Sequence, residues 1–419
     1  MSRARLKNLP AALGDRRFRL LFTGRAISDF GDKLVPVALA FAVLELEQSA
    51  SALGLVFAAR MIPMVVLVLV GGVWADRLPR NVVMLAADGV RAVTQAVTAA
   101  LLLTGRAEVW QLMVLMAVYG AAQAFFDPAS TGVVPQTVGR EQLQQANGLL
   151  QLSRSTSSVV GPAVAGVLVA TVGPGWAFAV DSGTFVISAA FLALLRIERE
   201  TRQARSRFVG DLVEGWREFT SRTWVWASVT HFAFFHLFVL APFWVLTPIV
   251  ANDELGGASA YATILAAMGI GSILGGIVAL RVQPKRPLAA AFTMILLEVP
   301  LYLALAAAAP LPVIVVFALA GALALNFAST LWITVLQANV PEHALSRVSS
   351  YDWLGSLVFL PAGYMLAGPV SDAVGVAETL VFAAAWSVAS TAVILSLEAI
   401  RGVRRTRRKA PLEPAALLR

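Results

Sequence analysis

Well inside an apolar run near 18–46 lie four charged groups, Arg25, Asp29, Asp32 and Lys33. A charge inside a bilayer is costly unless it is paired or faces water, so each of these needs an account. On a helix the four fall within a stripe about 100° wide. Arg25 with Asp29, and Asp29 with Lys33, are four residues apart and can pair along that face. Asp32 has the poorer intrahelical partner and is the deeper of the two acids. A weakly paired carboxylate near the midplane can take up and release a proton, which points to Asp32 as a coupling acid, with Asp29 second. The competing reading is that the four charges merely neutralise one another at a helix interface. Asp88 and Arg91, three apart, read as a structural ion pair, and Asp127 and Arg154 lie at similar depth in neighbouring runs, as partners across an interface would. Asp181 and Glu298 are isolated acids, either hydrogen-bonded in place or second titrating groups.

Such groups move protons and ions; they do not break bonds. The chain has no cysteine, which excludes disulfides, thiol catalysis and cysteine metal sites. His231 and His236 are five apart and do not share a helical face as metal ligands would, so no metal is expected. There is no phosphate-cradling loop, so ATP is not the expected energy source, no cofactor is implied and the chain does not read as an enzyme.

The elements that must position these charges are long and greasy. Hydrophobic residues make up 58% of the 419 residues and charged residues 14%, with a mean hydropathy of +0.75, well outside the soluble range. Continuous apolar runs fall near 18–46, 52–75, 82–104, 109–133, 144–172, 175–196, 224–250, 258–281, 287–309, 311–337, 346–371 and 376–399. They do not alternate as barrel strands do, so the expectation is an all-α membrane protein of about twelve transmembrane helices. The formal net charge of +8 is not a nucleic-acid signature. Arginine and lysine crowd the amino terminus, the stretch Arg196 to Arg222, the tail and the loops that lie on their side, whereas Glu45, Glu47, Glu108, Asp253, Glu254, Asp372 and Glu378 occupy the other loops. This bias places both termini in the cytoplasm. The basic amino terminus runs into the first apolar run without a small-residue cleavage site, so a retained first span is expected.

The chain echoes itself. Gly120, Phe126, Gln136 and Glu141 answer to Gly321, Phe327, Gln337 and Glu342, about 200 residues on. The expected domains are two pseudo-symmetric six-helix bundles, 1–196 and 223–400. Between them lies a cytoplasmic linker, 197–222, in which Phe208, Leu212, Trp216 and Phe219 recur at helical spacing as in an amphipathic helix, and a basic tail follows at 401–419. Span seven is rich in aromatic residues, among them Phe235, and span ten carries Asn326, Ser329, Thr330, Thr334 and Gln337. We take Phe235, Asn326, Thr330 and Gln337 as candidates for the wall of a central cavity.

Gly72-x-x-x-Asp76-Arg77-x-x-Arg80 resembles the loop that the major facilitator superfamily carries between its second and third spans, with Pro79 at a usual glycine and Asn81 at a usual cation. Gly161-Pro162-Ala163-Val164-Ala165-Gly166 resembles a span-five stretch of that superfamily's drug antiporters. Phe125-Phe126-Asp127-Pro128-Ala129, Gln145-Ala146-Asn147, Arg60-x-x-Pro63 and Leu345-Ser346-Arg347-Val348-Ser349 are similar to its macrolide-efflux and siderophore-exporter branch. The resemblance implies two six-helix bundles around a cavity open alternately to each side, and an inner gate latched by Asp76. It also implies export of a bulky drug-like compound or natural product against protons, by a monomer in a bacterial inner membrane. Met116 stands where the fourth-span arginine is expected. That departure keeps an alternative open: export or flipping of a siderophore or lipid-like substrate without strict proton coupling.

Overall fold

The computed structural model describes residues 11–195 and 215–404, apart from the side chains of 68–77, 140, 342, 343 and 346. Every regular element among them is helical. Eleven helices are long and apolar enough to cross a membrane. A further crossing, span 1, is built from two shorter helices, Arg16–Asp32 and Val35–Leu46. The others, numbered in chain order, are span 2 (Ala50–Arg77), span 3 (Arg80–Leu103), span 4 (Val109–Val133), span 5 (Leu143–Val172) and span 6 (Pro174–Leu194). After the linker come span 7 (Thr223–Glu254), span 8 (Ala258–Arg281), span 9 (Pro287–Ala306), span 10 (Leu311–Asn339), span 11 (from Glu342 to Val374) and span 12 (Val376–Ser396).

Four spans are interrupted, each just before a proline. A proline has no N–H for the carbonyl four residues earlier and its ring crowds that carbonyl. Pro36 follows the break at Lys33 and Leu34, and Pro361 follows the break at Val358 and Phe359. Pro300 follows the tight turn Leu296–Glu298. In span 7 the response is a widened π segment, His236–Leu240, just ahead of Pro242, with the Ala241 N–H bonded to the His236 carbonyl. Pro162 does not break its helix: span 5 runs on through it from Leu143 to Val172.

The internal echo has a packing counterpart. In the first half a Cβ on Gly120 of span 4 would run into the Arg60 carbonyl of span 2; in the second, Gly271 and Gly275 of span 8 lie equally close to the Leu319 and Leu323 carbonyls of span 10. Phe126 and Phe327 are both core residues. The halves meet where span 2 packs on span 11 and span 5 on span 8. These contacts concentrate toward the face opposite the chain termini. Gly54 abuts the Tyr364 carbonyl, Gly368 abuts Ser51, and Gly166 abuts Ala262. The Phe57 and Tyr364 rings lie 5.5 Å apart, and the Ser51 hydroxyl donates to Asp372 at 2.8 Å. The close contacts described between the halves thus lie toward that face, with Gly269 against the Ser158 carbonyl nearer mid-span.

Of the linker, residues 215–222 are described, and 215–220 are helical. Trp216 and Phe219 stack on each other and on Tyr351 of span 11, at centroid distances of 5.5 and 5.9 Å from that ring. Phe208, Leu212 and the tail beyond Arg404 lie outside the described residues.

Candidate functional site

The charges of the first half converge. Arg91 of span 3 is only 2% exposed and holds two carboxylates: Asp88, one turn earlier on its own helix, and Asp32 of span 1, at 3.6 Å. Its guanidinium lies over the Phe126 ring of span 4 at 4.1 Å and the Phe185 ring of span 6 at 4.3 Å. A delocalised cation sandwiched by two rings is the form of positive charge that tolerates such burial. The Tyr119 hydroxyl of span 4 donates to Asp32, and Ser188 of span 6 donates to Asp88 at 2.6 Å. Gln95 of span 3 donates to Asp181 of span 6, also at 2.6 Å. Span 1 can lie against this cluster because of Gly31, where a side chain would strike Thr184 and Asp181.

The pairing along span 1 differs from that expected from spacing alone. Asp29 pairs with Arg154 of span 5, at 3.5 Å, and not with Arg25 or Lys33. The first helix of span 1 ends at Asp32, so exposed Lys33 sits at its C-cap beside Gly161, off the charged stripe. Arg154 reaches across the helix interface instead, which also leaves Asp127 without the partner expected for it. Asp127 is exposed, within electrostatic range of Arg91, Arg154 and Arg25. Arg154 is itself 46% exposed. Mid-span charges that are exposed yet surrounded by other charges fit a water-facing hollow better than a lipid-facing surface. Arg25 is 3% exposed and its Nε meets no acceptor. Asp32 is not weakly paired: spans 3 and 4 both hold it.

In the loop motif, Gly72, Asp76 and Arg77 fall on the last turns of span 2, with their side chains outside the described residues. Arg80 donates to the Gly132 carbonyl at the end of span 4, where a cation also complements the helix dipole. Asn81 donates to the Leu195 carbonyl beyond the end of span 6, at 3.1 Å. In span 5, Gly161 abuts Lys33 of span 1, buried Pro162 follows it, and Gly166 abuts Ala262 of the other half. One candidate for the cavity wall is corrected. Phe235 is 2% exposed, packed among His231, Phe232 and His236 inside the second half. Asn326 and Thr330 are half-buried, Thr330 bonding back to the Asn326 carbonyl, and Gln337 is exposed.

Several residues of the site escaped the spacing argument. Tyr119 and Gln95 are neutral, so no charge pattern marks them. Arg60, which donates to Gln123 at 3.1 Å and lies over the Tyr119 ring at 4.7 Å, was visible only as part of a motif. Asp352 of span 11, an acid in an apolar run, carried a signal that was passed over.

The model of the transmembrane secretion effector family of the major facilitator superfamily matches residues 9–411. The chain belongs to this family. It is a multi-pass membrane transporter and not an enzyme. It is 28% identical to the multidrug efflux pump Tap of Mycolicibacterium fortuitum over 377 residues, covering 83% of this chain and 88% of the pump. It is 24% identical to macrolide efflux protein A of Streptococcus pyogenes over 367 residues, covering 86% and 90%. Among solved structures it resembles a bacterial homologue of the human lysosomal transporter Spinster, described as inward-facing and unoccupied, with a TM-score of 0.71, 16% identity, and 92% and 96% of the two chains covered. The nucleoside transporter NupG matches with a TM-score of 0.72 and 13% identity, covering 91% and 98%. These likenesses confirm the major facilitator fold, and alternating access is the working principle that goes with it.

Proposed function

We propose that this transporter exports a bulky, drug-like compound or natural product in exchange for protons, as a monomer in a bacterial inner membrane, with both termini in the cytoplasm. The orientation rests on the crowding of arginine and lysine into the terminal-side loops, and efflux on the two pumps it is similar to. The observation that carries proton coupling is the seat of Asp32. It stands at the break in span 1, held by Arg91 of span 3 and Tyr119 of span 4. Protonating it cancels its attraction to Arg91 and leaves that cation to Asp88 alone. Span 1 is then free to shift against spans 3 and 4 about its break, and the two packings exchange. Asp29, paired with the exposed Arg154, is the second candidate.

In proteoliposomes with an imposed pH gradient, substrate should drive proton movement in the parent and fail to do so in Asp32→Asn. An Asp32→Asn protein that couples like the parent would sink the assignment, and export indifferent to a protonophore would sink antiport altogether. One observation favours a second reading, export of a siderophore or lipid-like molecule without strict coupling. At Met116, where a charged residue would be expected, the side chain is uncharged and wholly buried in the core.

A further inference from the structure

The acids within the spans fall into distinct kinds. Asp29, Asp32 and Asp88 each touch an arginine, and exposed Asp127 lies among arginines. Asp181 and Glu298 are sealed inside their bundles against neutral donors. Asp352 of span 11 fits none of these descriptions. It is half-buried, no lysine or arginine among the described residues contacts it, and the Trp332 indole N–H of span 10 donates to it at 2.9 Å. The Trp332 ring meets Trp224 of span 7 edge-on at 5.7 Å. Spans 7 and 11 are held close here, with Gly355 against Val229. The site lies in the terminal-side part of the second half, where spans 7, 10 and 11 converge.

An ionised carboxylate in a span needs a positive partner or water. This one has an indole N–H on one side and, among the described residues, no cation in contact. Aromatic faces attract a cation electrostatically, most strongly where water is scarce. We propose that Asp352, Trp332 and Trp224 form a docking site for the cationic end of the transported molecule, an amphiphile with a protonated or quaternary centre and an apolar body. This deepens the reading of the chain as an exporter of bulky amphiphiles and rests on it. The bound cation supplies the charge that the protein withholds at this one acid, while the first half keeps its own charges for coupling.

The probe is tetraphenylphosphonium, with neutral triphenylphosphine oxide as its uncharged counterpart. Binding is measured by equilibrium dialysis on the purified full-length protein in detergent, without a pH gradient. The readout is therefore independent of coupling through Asp32, and its failure leaves the proton-exchange test standing. The parent should bind the cation at least tenfold more tightly than the neutral probe. Asp352→Asn still accepts the Trp332 N–H but loses the charge; it should abolish that preference and leave neutral-probe affinity unchanged. Asp352→Glu should retain part of the preference, and Trp224→Leu should weaken cation binding severalfold. No cation preference in the parent, a preference that survives Asp352→Asn, or equal losses for both probes would overturn the proposal, the last because it marks a purely structural role.

Discussion

Arg91 is the most heavily committed residue of the structure, and replacing it with methionine tests whether the network works as drawn. The guanidinium is 2% exposed, bonded to Asp88, paired with Asp32 at 3.6 Å and sandwiched by Phe126 and Phe185. Methionine fills much of the space of the stem, so the loss is chiefly electrostatic. Removing one partner of a buried ion pair costs about 3–5 kcal/mol, because the other charge is left uncompensated. The two ring contacts add about 1 kcal/mol each. Arg91→Met should therefore be less stable than the parent by about 5–7 kcal/mol. Adding Asp88→Asn removes the orphaned charge, while the asparagine carbonyl can still accept from Ser188. The double variant should thus recover about 2 kcal/mol or more relative to the single one. Reversible unfolding in mixed micelles, followed by tryptophan fluorescence, measures both numbers. A loss under about 1 kcal/mol for Arg91→Met, or a double variant less stable than the single, would refute the view that the arginine compensates buried carboxylates.

Glu298→Gln should change stability by less than about 1 kcal/mol and leave transport within about twofold of the parent, since a glutamine oxygen can still accept from Ser387; a tenfold loss of transport would contradict this. The native chain has no cysteine, so a Ser51→Cys/Asp372→Cys pair can be oxidised without background. The hydroxyl and carboxylate it replaces lie 2.8 Å apart, and the crosslink should staple spans 2 and 11 shut at the face opposite the termini. Transport should fall at least tenfold and return on reduction; full transport through a complete crosslink would show that this contact does not open in the cycle.

The fold was legible because it is written in long-range composition. Each apolar run became a crossing, and Phe126 and Phe327 are both buried, while Gly120 packs on span 2 and its counterpart Gly321 on span 9. The interruptions follow from local chemistry that apolar runs conceal: Pro36, Pro242, Pro300 and Pro361 break or widen helices that hydropathy alone joins. The site was less legible. Asp88 and Arg91 were found because they share one helix, where spacing translates directly into distance. Spacing found Arg25, whose charge acts on Asp29, but not Arg154, the cation in contact, which lies on span 5; register between helices is set by close approaches such as Gly31 of span 1 against span 6 that no periodicity reveals. Phe235 was misplaced for the same reason. An aromatic residue in a span can face lipid, core or cavity, and only the packing of its neighbours decides.

Duplication explains the frame but not the chemistry laid on it. In the first half, an acid of span 3, Asp88, accepts from a serine of span 6, Ser188. In the second, an acid of span 9, Glu298, accepts from a serine of span 12, Ser387, at 3.2 Å. One turn beyond Asp88 stands Arg91, which links the pair to Asp32 and to the hollow; one turn beyond Glu298 stands buried Leu301. The same interhelical bond therefore ends in a charged relay on one side of the molecule and in apolar packing on the other. Burial of a carboxyl is tolerated where its oxygens are hydrogen-bonded, and Ser387 supplies that bond to Glu298. Among the described residues the interhelical ion pairs are thus concentrated in the half built around Asp32 and Arg91, and the proposals above divide coupling and docking between the halves accordingly.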